Sequence, residues 1–231
     1  MSDALTIDCV EVRAGATLLV DVHDLTIHPG KMTAVVGPSG SGKTLLLRAL
    51  ARVLPSGLSH TVQTTPESAR VAWMPQDCMA ALDPLRTVGE QLAQTLATSG
   101  SPDTVSQTLE RVGLSATDAA RFPAQLSGGM AQRVVLAQAL AMQVHTLLVD
   151  EPTSGLDPLL TQQILDLIVA HTGPRLGVIW VSHDLRHVRG RADRIWVMEG
   201  GAVVETTDSV DTLRSDVARA LLHHTPGLKP A

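Results

Sequence analysis

A glycine-rich segment with a single lysine has the composition and spacing of a phosphate-binding loop. Its residues are Gly37, Pro38, Ser39, Gly40, Ser41, Gly42, Lys43 and Thr44. They fit the pattern G-x-x-x-x-G-K-[ST], in which the lysine reaches nucleotide phosphates and the final hydroxyl binds Mg²⁺. Glycines let backbone N–H groups turn toward phosphate oxygens, because no Cβ stands in the way. The segment therefore predicts a site for a nucleoside triphosphate and Mg²⁺.

Two adjacent carboxylates, Asp150 and Glu151, end an apolar run that is typical of a buried strand. Asp150 is placed where a carboxylate can hold the water shell of Mg²⁺. Glu151 can accept a proton from an attacking water, as a general base must. Taken alone, the pair fits a solvated strand end equally well. Beside a predicted phosphate loop, the catalytic interpretation is favoured.

His183 and Gln76 each follow a predicted strand and are weaker indications. His183 stands between Ser182 and Asp184, so it also fits an ordinary helix entry in which its neighbours act as caps. Gln76 by itself would be an unremarkable loop glutamine. The functional interpretation of both residues depends on the other motifs around them.

The most discriminating segment spans residues 126–133 and reads LSGGMAQR. It closely resembles the signature motif of ATP-binding-cassette (ABC) ATPases, and the resemblance covers nearly the whole chain. The family's other motifs stand around it in the family's order: the loop at 37–44, Gln76, and residues 147–151, 154–157 and 182–184. The chain contains no asparagine, so the guanine-reading N-K-x-D motif is excluded and ATP is the expected nucleotide.

The resemblance implies a role for each motif residue. Glu151, His183 and Gln76 are the expected catalytic residues, with Glu151 as general base and His183 orienting the water at the γ-phosphate. The expected Mg²⁺ ligands are Thr44, Gln76 and Asp150. The cofactors implied by the family are thus ATP and Mg²⁺.

The signature segment raises a separate question, because this chain already has a phosphate loop. Glycines that open a helix offer N–H groups and the positive end of the helix dipole to an anion. In the family, two cassettes face head to tail, and each signature binds the ATP on the other's loop. The residues expected to do so are Ser127, Gly128, Gly129 and Gln132, with Asp157 at the dimer interface. An isolated monomer is therefore expected to hydrolyse ATP slowly.

Residues 76–84 and 87–91, together with Met130, resemble the dipeptide, oligopeptide and nickel importer branch. That resemblance implies import of peptide, nickel or metal-chelate cargo. It also implies a second ABC ATPase subunit, two transmembrane permease subunits and an extracytoplasmic substrate-binding protein as partners. The chain would then lie peripherally on the cytoplasmic face of the cell membrane, with a helix of a permease docking near residues 76–90.

The elements that position these motifs alternate between short apolar strands and longer helical patterns. Strands are predicted at 33–36, 71–74, 146–149 and 178–181, a helix at 45–54, and a hairpin around Gly200 and Gly201. Helices are predicted at 87–98 and 103–112, and one opens at Ser127. The sequence thus predicts an α/β P-loop NTPase (RecA-like) core, with an N-terminal antiparallel β region and an inserted α-helical subdomain. The core comprises 1–75 and 143–231, and the helical subdomain comprises 76–142, within a single ABC ATPase domain.

Composition narrows the alternatives. A net charge of −5 and only 2% aromatic residues argue against a nucleic-acid partner. Two distant cysteines indicate reduced thiols, and the nine histidines lack metal-site spacing, which favours scattered surface positions. The start carries no secretory signal pattern. Two other readings remain open: a non-transport ABC ATPase, and a regulatory cassette that binds ATP with little hydrolysis.

Three features depart from the family pattern. No aromatic residue stands near Arg13, Ala14 and Gly15 to stack on adenine, so weaker adenine recognition is expected. Residues 51–70 are fewer than the corresponding β-rich region usually has. Cys78 stands where proline is common.

Overall fold

The computed structural model describes residues 4–152, 157–223 and 225. Its strands are β1 (Leu5–Ala14), β2 (Thr17–Ile27), β3 (Met32–Val36), β4 (Ser59–Thr65), β5 (Val71–Met74), β6 (Thr146–Asp150), β7 (Gly177–Val181), β8 (Arg194–Glu199) and β9 (Ala202–Thr207). Its α-helices are α1 (Lys43–Leu50), α2 (Val88–Ser99), α3 (Val105–Arg111), α4 (Gly128–Ala141), α5 (Pro158–His171), α6 (Leu185–Val188) and α7 (Asp216–His223).

A six-stranded sheet in the order β5-β6-β7-β3-β8-β9 carries the predicted catalytic motifs. The neighbours β6-β7, β7-β3 and β3-β8 are parallel, and β9 closes the edge antiparallel to β8. Every residue of β3, β6 and β7 is buried, which explains why these strands are mostly apolar rather than alternating. The predicted α/β fold is confirmed, and the hairpin around Gly200 and Gly201 is β8-β9.

The N-terminal strands form a separate three-stranded antiparallel sheet in the order β2-β1-β4. One face is apolar and fully buried, as Val10, Val12 and Val20 show with no exposed surface. The other face carries polar residues, because side chains alternate along a strand. This arrangement confirms the antiparallel β region that the sequence predicted. β4 lies within the region 51–70.

The chain divides into two compact units. The first comprises residues 1–73, 145–151 and 172–231, and contains both sheets apart from the last residue of β5. The second comprises 74–144 and 152–171, and is helical. Residues 152–171 thus group with the helical unit, whereas the sequence assigned them to the core.

Helix ends follow local capping signals. α2 begins after Thr87, whose hydroxyl accepts a hydrogen bond from the Glu90 N–H while the Glu90 carboxylate accepts one from the Thr87 N–H, a capping box. α1 ends at Leu50, earlier than the predicted 54, and Arg52 adopts a positive φ of 58° just beyond it. No helix in the described parts of the chain is long and apolar enough to cross a bilayer.

Candidate functional site

The glycine-rich loop joins the buried strand β3 to helix α1, as the motif requires. Gly37 cannot carry a side chain, because a Cβ there would lie 2.3 Å from the Met198 carbonyl oxygen on β8. Gly42 has a φ of 99° and precedes α1 as its N-cap, with no side-chain cap and no acidic residue in the first turn. The first N–H groups of α1 are therefore suited to an anion.

Lys43 is folded back over the loop. Its Nζ donates hydrogen bonds to the carbonyl oxygens of Gly37 at 2.9 Å and Pro38 at 2.8 Å, and it is only 7% exposed. Burial lowers the pKa of this amine, against the opposing attraction of Glu151 and Asp150. A buried ammonium held by neutral carbonyls is a ready partner for phosphate oxygens, because each such contact would be charge-assisted.

The turn between β8 and β9 supports the phosphate loop. The motif at residues 37–44 does not predict this contact. The Gly201 N–H donates to the Ser41 carbonyl oxygen at 3.1 Å. A Cβ on Gly201 would lie 2.4 Å from the Leu19 carbonyl oxygen. The glycine pair is the sequence signal for this support, although by itself it predicts no more than a hairpin turn.

Thr44 and Asp150, two of the predicted Mg²⁺ ligands, are already in contact. The Thr44 hydroxyl donates to Asp150 Oδ1 at 3.0 Å, and Asp150 is 2% exposed at the end of β6. Burial raises the pKa of this carboxyl, opposed by the hydrogen bond from Thr44. A hydroxyl and a carboxylate at this spacing form an all-oxygen donor set of the kind that Mg²⁺ prefers.

The raised pKa of Asp150 predicts a stability cost in the nucleotide-free protein. Since the pKa is higher in the folded state, the carboxyl favours folding below its unfolded pKa, and that contribution is lost as the pH rises through the folded pKa. Asp150→Asn keeps an acceptor for Thr44 without the charge. We expect it to unfold at higher urea concentration than wild type at about pH 8, with the difference shrinking toward about pH 3. An Asn variant no more stable than wild type at the higher pH would contradict this assignment.

Glu151 and His183 are brought together at the carboxyl ends of neighbouring strands β6 and β7. His183 Nδ1 lies 3.7 Å from Glu151 Oε2, and the His183 side chain is 64% exposed. Glu151 has a φ of 44°, a left-handed backbone conformation that costs free energy for a residue with a side chain and is concentrated at functional sites. A carboxylate and an imidazole in this arrangement could hold and deprotonate a water.

Ser182 and Asp184 fix the backbone on either side of His183. The Asp184 N–H donates to Ser182 Oγ at 3.1 Å, and Asp184 Oδ1 accepts from the Arg186 N–H at 2.8 Å. Asp184 thus caps the short helix α6. The neighbours of His183 therefore do act as caps at a helix entry, and this role leaves the His183 ring exposed.

The signature segment opens helix α4, as predicted. Ser127 is the N-cap, and its hydroxyl accepts from the Met130 N–H at 3.3 Å. Ser127 and Gly128 are exposed, while a Cβ on Gly129 would lie 2.6 Å from Leu160 Cδ2 of α5. The Gln132 side chain is buried, and its Oε1 has no hydrogen-bond partner among the described residues.

Helix α4 is buried on most sides rather than on a single face. The buried positions are Gly129, Ala131, Gln132, Val134, Val135, Leu136, Ala137, Ala139 and Ala141. Small residues allow this burial, because they let neighbouring elements approach closely. The exposed start of the helix is thereby fixed on a well-packed element.

Two predicted site residues, Asp157 and Gln76, belong to the helical unit and not to the unit that holds the phosphate loop. Asp157 Oδ1 accepts from the N–H groups of Leu159 at 3.0 Å and Leu160 at 3.1 Å, so it caps α5. Gln76 is exposed two residues after β5 and belongs to the helical unit. The neighbours of Asp157 in its motif, residues 154–156, lie outside the described residues, as does the tail beyond Thr225.

The β1-β2 hairpin, where the family pattern would place an adenine-stacking aromatic, is open. Ala14 and Gly15 are exposed, and a Cβ on Gly15 would have no neighbour within 4 Å. Cys78, the other departure, is buried and its thiol donates to the Pro75 carbonyl oxygen at 3.2 Å. Burial raises the pKa of this thiol to about 12, so it stays protonated and unreactive near neutral pH.

Comparison with known proteins gives consistent matches. The family model described as ABC transporter matches residues 20–154. NikD, a nickel import ATP-binding protein of Pseudomonas putida, is 34% identical over 93% of this chain and 91% of its own length. PhnT of Salmonella typhi, named for 2-aminoethylphosphonate import, is 33% identical over 97% of this chain, which spans only 62% of PhnT.

A solved structure supports the fold. The ATP-binding cassette MJ0796, solved as a dimer in a post-hydrolysis state with ADP and phosphate, superposes with a TM-score of 0.69. The match covers 89% of this chain and 98% of that one at 23% identity. Identity this low supports the shared fold alone.

Proposed function

This chain is an ATPase of the ABC transporter family, and from that premise we propose that it hydrolyses Mg²⁺-bound ATP to drive import through separate membrane subunits. The observation that carries the proposal is the buried Lys43 amine beside the contact between Thr44 and Asp150. These groups supply the positive charge and the oxygen ligands that a magnesium triphosphate needs.

The nucleotide would be held mainly through its phosphates. Lys43 would exchange its hydrogen bonds to Gly37 and Pro38 for hydrogen bonds to phosphate oxygens. The N–H groups of the loop and of α1 would bind the remaining phosphate oxygens of the nucleotide. Thr44 and Asp150 would hold the Mg²⁺, with Gln76 as the further ligand. Bound Mg²⁺ supplies neutralisation of developing negative charge on the phosphates. The open hairpin at Ala14 fits weaker recognition of the base.

Hydrolysis would depend on Glu151 and His183. Glu151 is placed to take the proton of the attacking water, and its fixed backbone holds the carboxylate at the strand end. His183, 3.7 Å away, would donate to the γ-phosphate and orient the same water. Both residues directly follow the buried parallel strands β6 and β7, which anchor their backbone before the reaction.

The signature residues would complete a second chain's site. Ser127 and Gly128 lie exposed at the start of α4, a helix of 14 residues. The phosphates of the ATP bound to this chain would already be held by its own phosphate loop. We place Ser127, Gly128, Gly129 and Gln132 against the γ-phosphate on a partner cassette, with Asp157 at the same interface. That partner is a copy of this chain or a related cassette.

The importer assignment rests on resemblance and on one surface feature. Leu85 is 85% exposed, whereas Leu82, three residues earlier, is buried. Gln91 fixes the loop between them: its Oε1 accepts from the Asp83 N–H, and its Nε2 donates to the carbonyl oxygens of Asp83 and Arg86, all at 3.0 Å. A single exposed leucine is ordinary on a protein surface, so the family resemblance of residues 76–90 is what leads us to assign Leu85 to a transmembrane permease.

In this assignment the chain lies on the cytoplasmic face of the membrane, and an extracytoplasmic binding protein supplies the cargo. The similarity to NikD and the resemblance to the dipeptide, oligopeptide and nickel importer branch support peptide, nickel or metal-chelate cargo. The relatives are named for different cargoes. Similar cassettes can serve different cargoes because substrate choice lies outside the cassette. A non-transport ABC ATPase and a weakly hydrolysing regulatory cassette are the competing functions; the intact set of Lys43, Glu151 and His183 disfavours the second.

Leu85→Glu tests the transport assignment. We expect it to prevent co-purification of the tagged chain with permease subunits from detergent-solubilised membranes, because a charge replaces the apolar contact. Unfolding and nucleotide binding of the free chain should not change, since Leu85 is solvated there. Leu159→Glu, at another exposed leucine (69% exposed), is the matched control. A Leu85→Glu chain that assembles with the permeases and supports transport would overturn the docking assignment.

A further inference from the structure

The outer face of the three-stranded sheet carries a cluster of metal-binding side chains that the ATPase function does not use. Cys9 and Glu11 stand two residues apart on β1, and Asp21 and His23 stand two residues apart on β2. The register pairs Cys9 with His23 and Glu11 with Asp21. Because side chains alternate along a strand, all four project from the same face.

The ligand atoms are close enough to share an ion. The Cys9 sulfur, a Glu11 carboxylate oxygen and a His23 ring nitrogen all lie within 4.8 Å of one another. Ligands about 2.0 to 2.3 Å from a tetrahedral ion lie roughly 3.3 to 3.7 Å apart. Rotamer changes that move the ends of these side chains by about 1 Å would bring the three ligand atoms to that spacing.

His23 is already held as a ligating histidine usually is. Its Nε2 lies 2.6 Å from Asp21 Oδ1, and since a carboxylate accepts, Nε2 carries the proton. The His23 ring also hydrogen-bonds the backbone of Asp8, and its bonds to Asp21 and Asp8 raise its pKa. An ion that binds a ring nitrogen must therefore displace a proton from it. A carboxylate that orients the second ring nitrogen is the usual outer support of a histidine ligand.

Other contacts of the cluster leave it available. Arg13 lies 3.4 Å from Glu11 Oε2, a long contact to one oxygen. Asp21 and His23 also line an open cleft with residues of β9, which provides a path for an ion from solvent. With Glu11 and Asp21 both carboxylates, the cluster has the charge to receive a cation.

We propose that Cys9, Glu11 and His23 form a surface site for a borderline divalent transition-metal ion such as Zn²⁺, with Asp21 orienting the imidazole. A sulfur, a nitrogen and an oxygen ligand together suit Zn²⁺ or Co²⁺. They do not suit Mg²⁺ or Ca²⁺, which take oxygen ligands. On binding, the Cys9 thiol releases its proton to solvent and the thiolate binds the ion. The ion would join β1 to β2 and stabilise their hairpin.

Titration of the full chain with Co²⁺, without nucleotide, tests the site. We expect a thiolate-to-cobalt charge-transfer band that saturates with Co²⁺ and disappears on addition of Zn²⁺. Cys9→Ser should remove the band, Glu11→Gln and His23→Gln should weaken Co²⁺ binding, and Asp21→Asn should weaken it about 10- to 100-fold. The matched controls are Cys78→Ser, whose thiol is buried elsewhere, and His28→Gln.

A second measurement needs no variant. Zn²⁺ should protect Cys9 from alkylation in the wild-type chain, as read by peptide mass spectrometry, with the buried Cys78 as internal reference. A wild-type chain with no charge-transfer band at high Co²⁺ would overturn the site. So would a band that persists in a folded Cys9→Ser chain, or alkylation of Cys9 at the same rate with and without Zn²⁺.

Discussion

Lys43→Ala is expected to weaken ATP binding by about 100-fold or more, because two or more charge-assisted hydrogen bonds to phosphate are lost and each contributes about 1.5 to 3 kcal/mol. The buried amine is the main positive charge at the loop, and its present acceptors, the Gly37 and Pro38 carbonyl oxygens, are neutral. Removal also leaves those carbonyls without this donor. Binding should therefore be measured by titration of the folded variant with a fluorescent ATP analogue, alongside its urea unfolding curve.

Lys31→Ala is the matched control for that experiment. Lys31 also donates from Nζ, to Asp193 Oδ1 at 2.8 Å, but at an exposed surface position. Its loss should leave ATP affinity within twofold of wild type, since exposed ion pairs contribute at most about 1 kcal/mol and only to stability. If Lys43→Ala and Lys31→Ala bound ATP equally well, the loop would not be the phosphate site.

Glu151→Gln is expected to reduce ATP hydrolysis by about 10² to 10⁴-fold while ATP binding is retained, because an amide cannot accept the proton of the attacking water. The substitution keeps the shape of the side chain near His183. It also leaves Lys43, Thr44 and Asp150 in place. Phosphate release and nucleotide binding, measured on the same preparation, separate the two effects.

Glu67→Gln provides the charge-matched control, since Glu67 is exposed between β4 and β5. It should hydrolyse ATP at the wild-type rate. Hydrolysis by Glu151→Gln at a rate near wild type would remove Glu151 from the mechanism. A wild-type chain that binds ATP but releases no phosphate even with its partner subunits would instead support the regulatory alternative.

The residues of the loop and of the strand ends could be predicted from sequence because their chemistry is local. Gly37 to Thr44 follow one another along the backbone, and a run such as β6 marks where Asp150 must lie. Parallel strands then bring Glu151 and His183 to the same edge of the sheet. These placements need only the order of elements, which periodicity and the motif supply.

Contacts between distant segments could not be predicted in this way. The close approach of Met198 to Gly37 depends on the pairing of β8 with β3. The difference between buried Leu82 and exposed Leu85 depends on the bonds made by Gln91. No sequence pattern predicts either of these two features, because both depend on how a loop packs against distant residues.

Register explains why the Cys9 cluster was not predicted as a metal site. Metal-site motifs consist of ligands at fixed spacing within one segment of sequence. The histidines of this chain do not have such spacing, so the sequence predicts no metal site among them. Here β1 and β2 each supply two side chains, and only the pairing of Cys9 with His23 brings them together. The bulge between Val12 and Arg13 shifts that register near the turn, so counting back from the hairpin would misplace the pairs.

The phosphate loop of one chain is proposed to work with the signature segment of another. The most direct test is the rate of ATP hydrolysis per chain, measured with saturating Mg²⁺-ATP over a wide range of chain concentration. We expect the rate per chain to rise with concentration toward a plateau. Ser127→Arg should remove the rise, while nucleotide binding remains. Full turnover at the lowest concentration, unchanged on dilution, would contradict it.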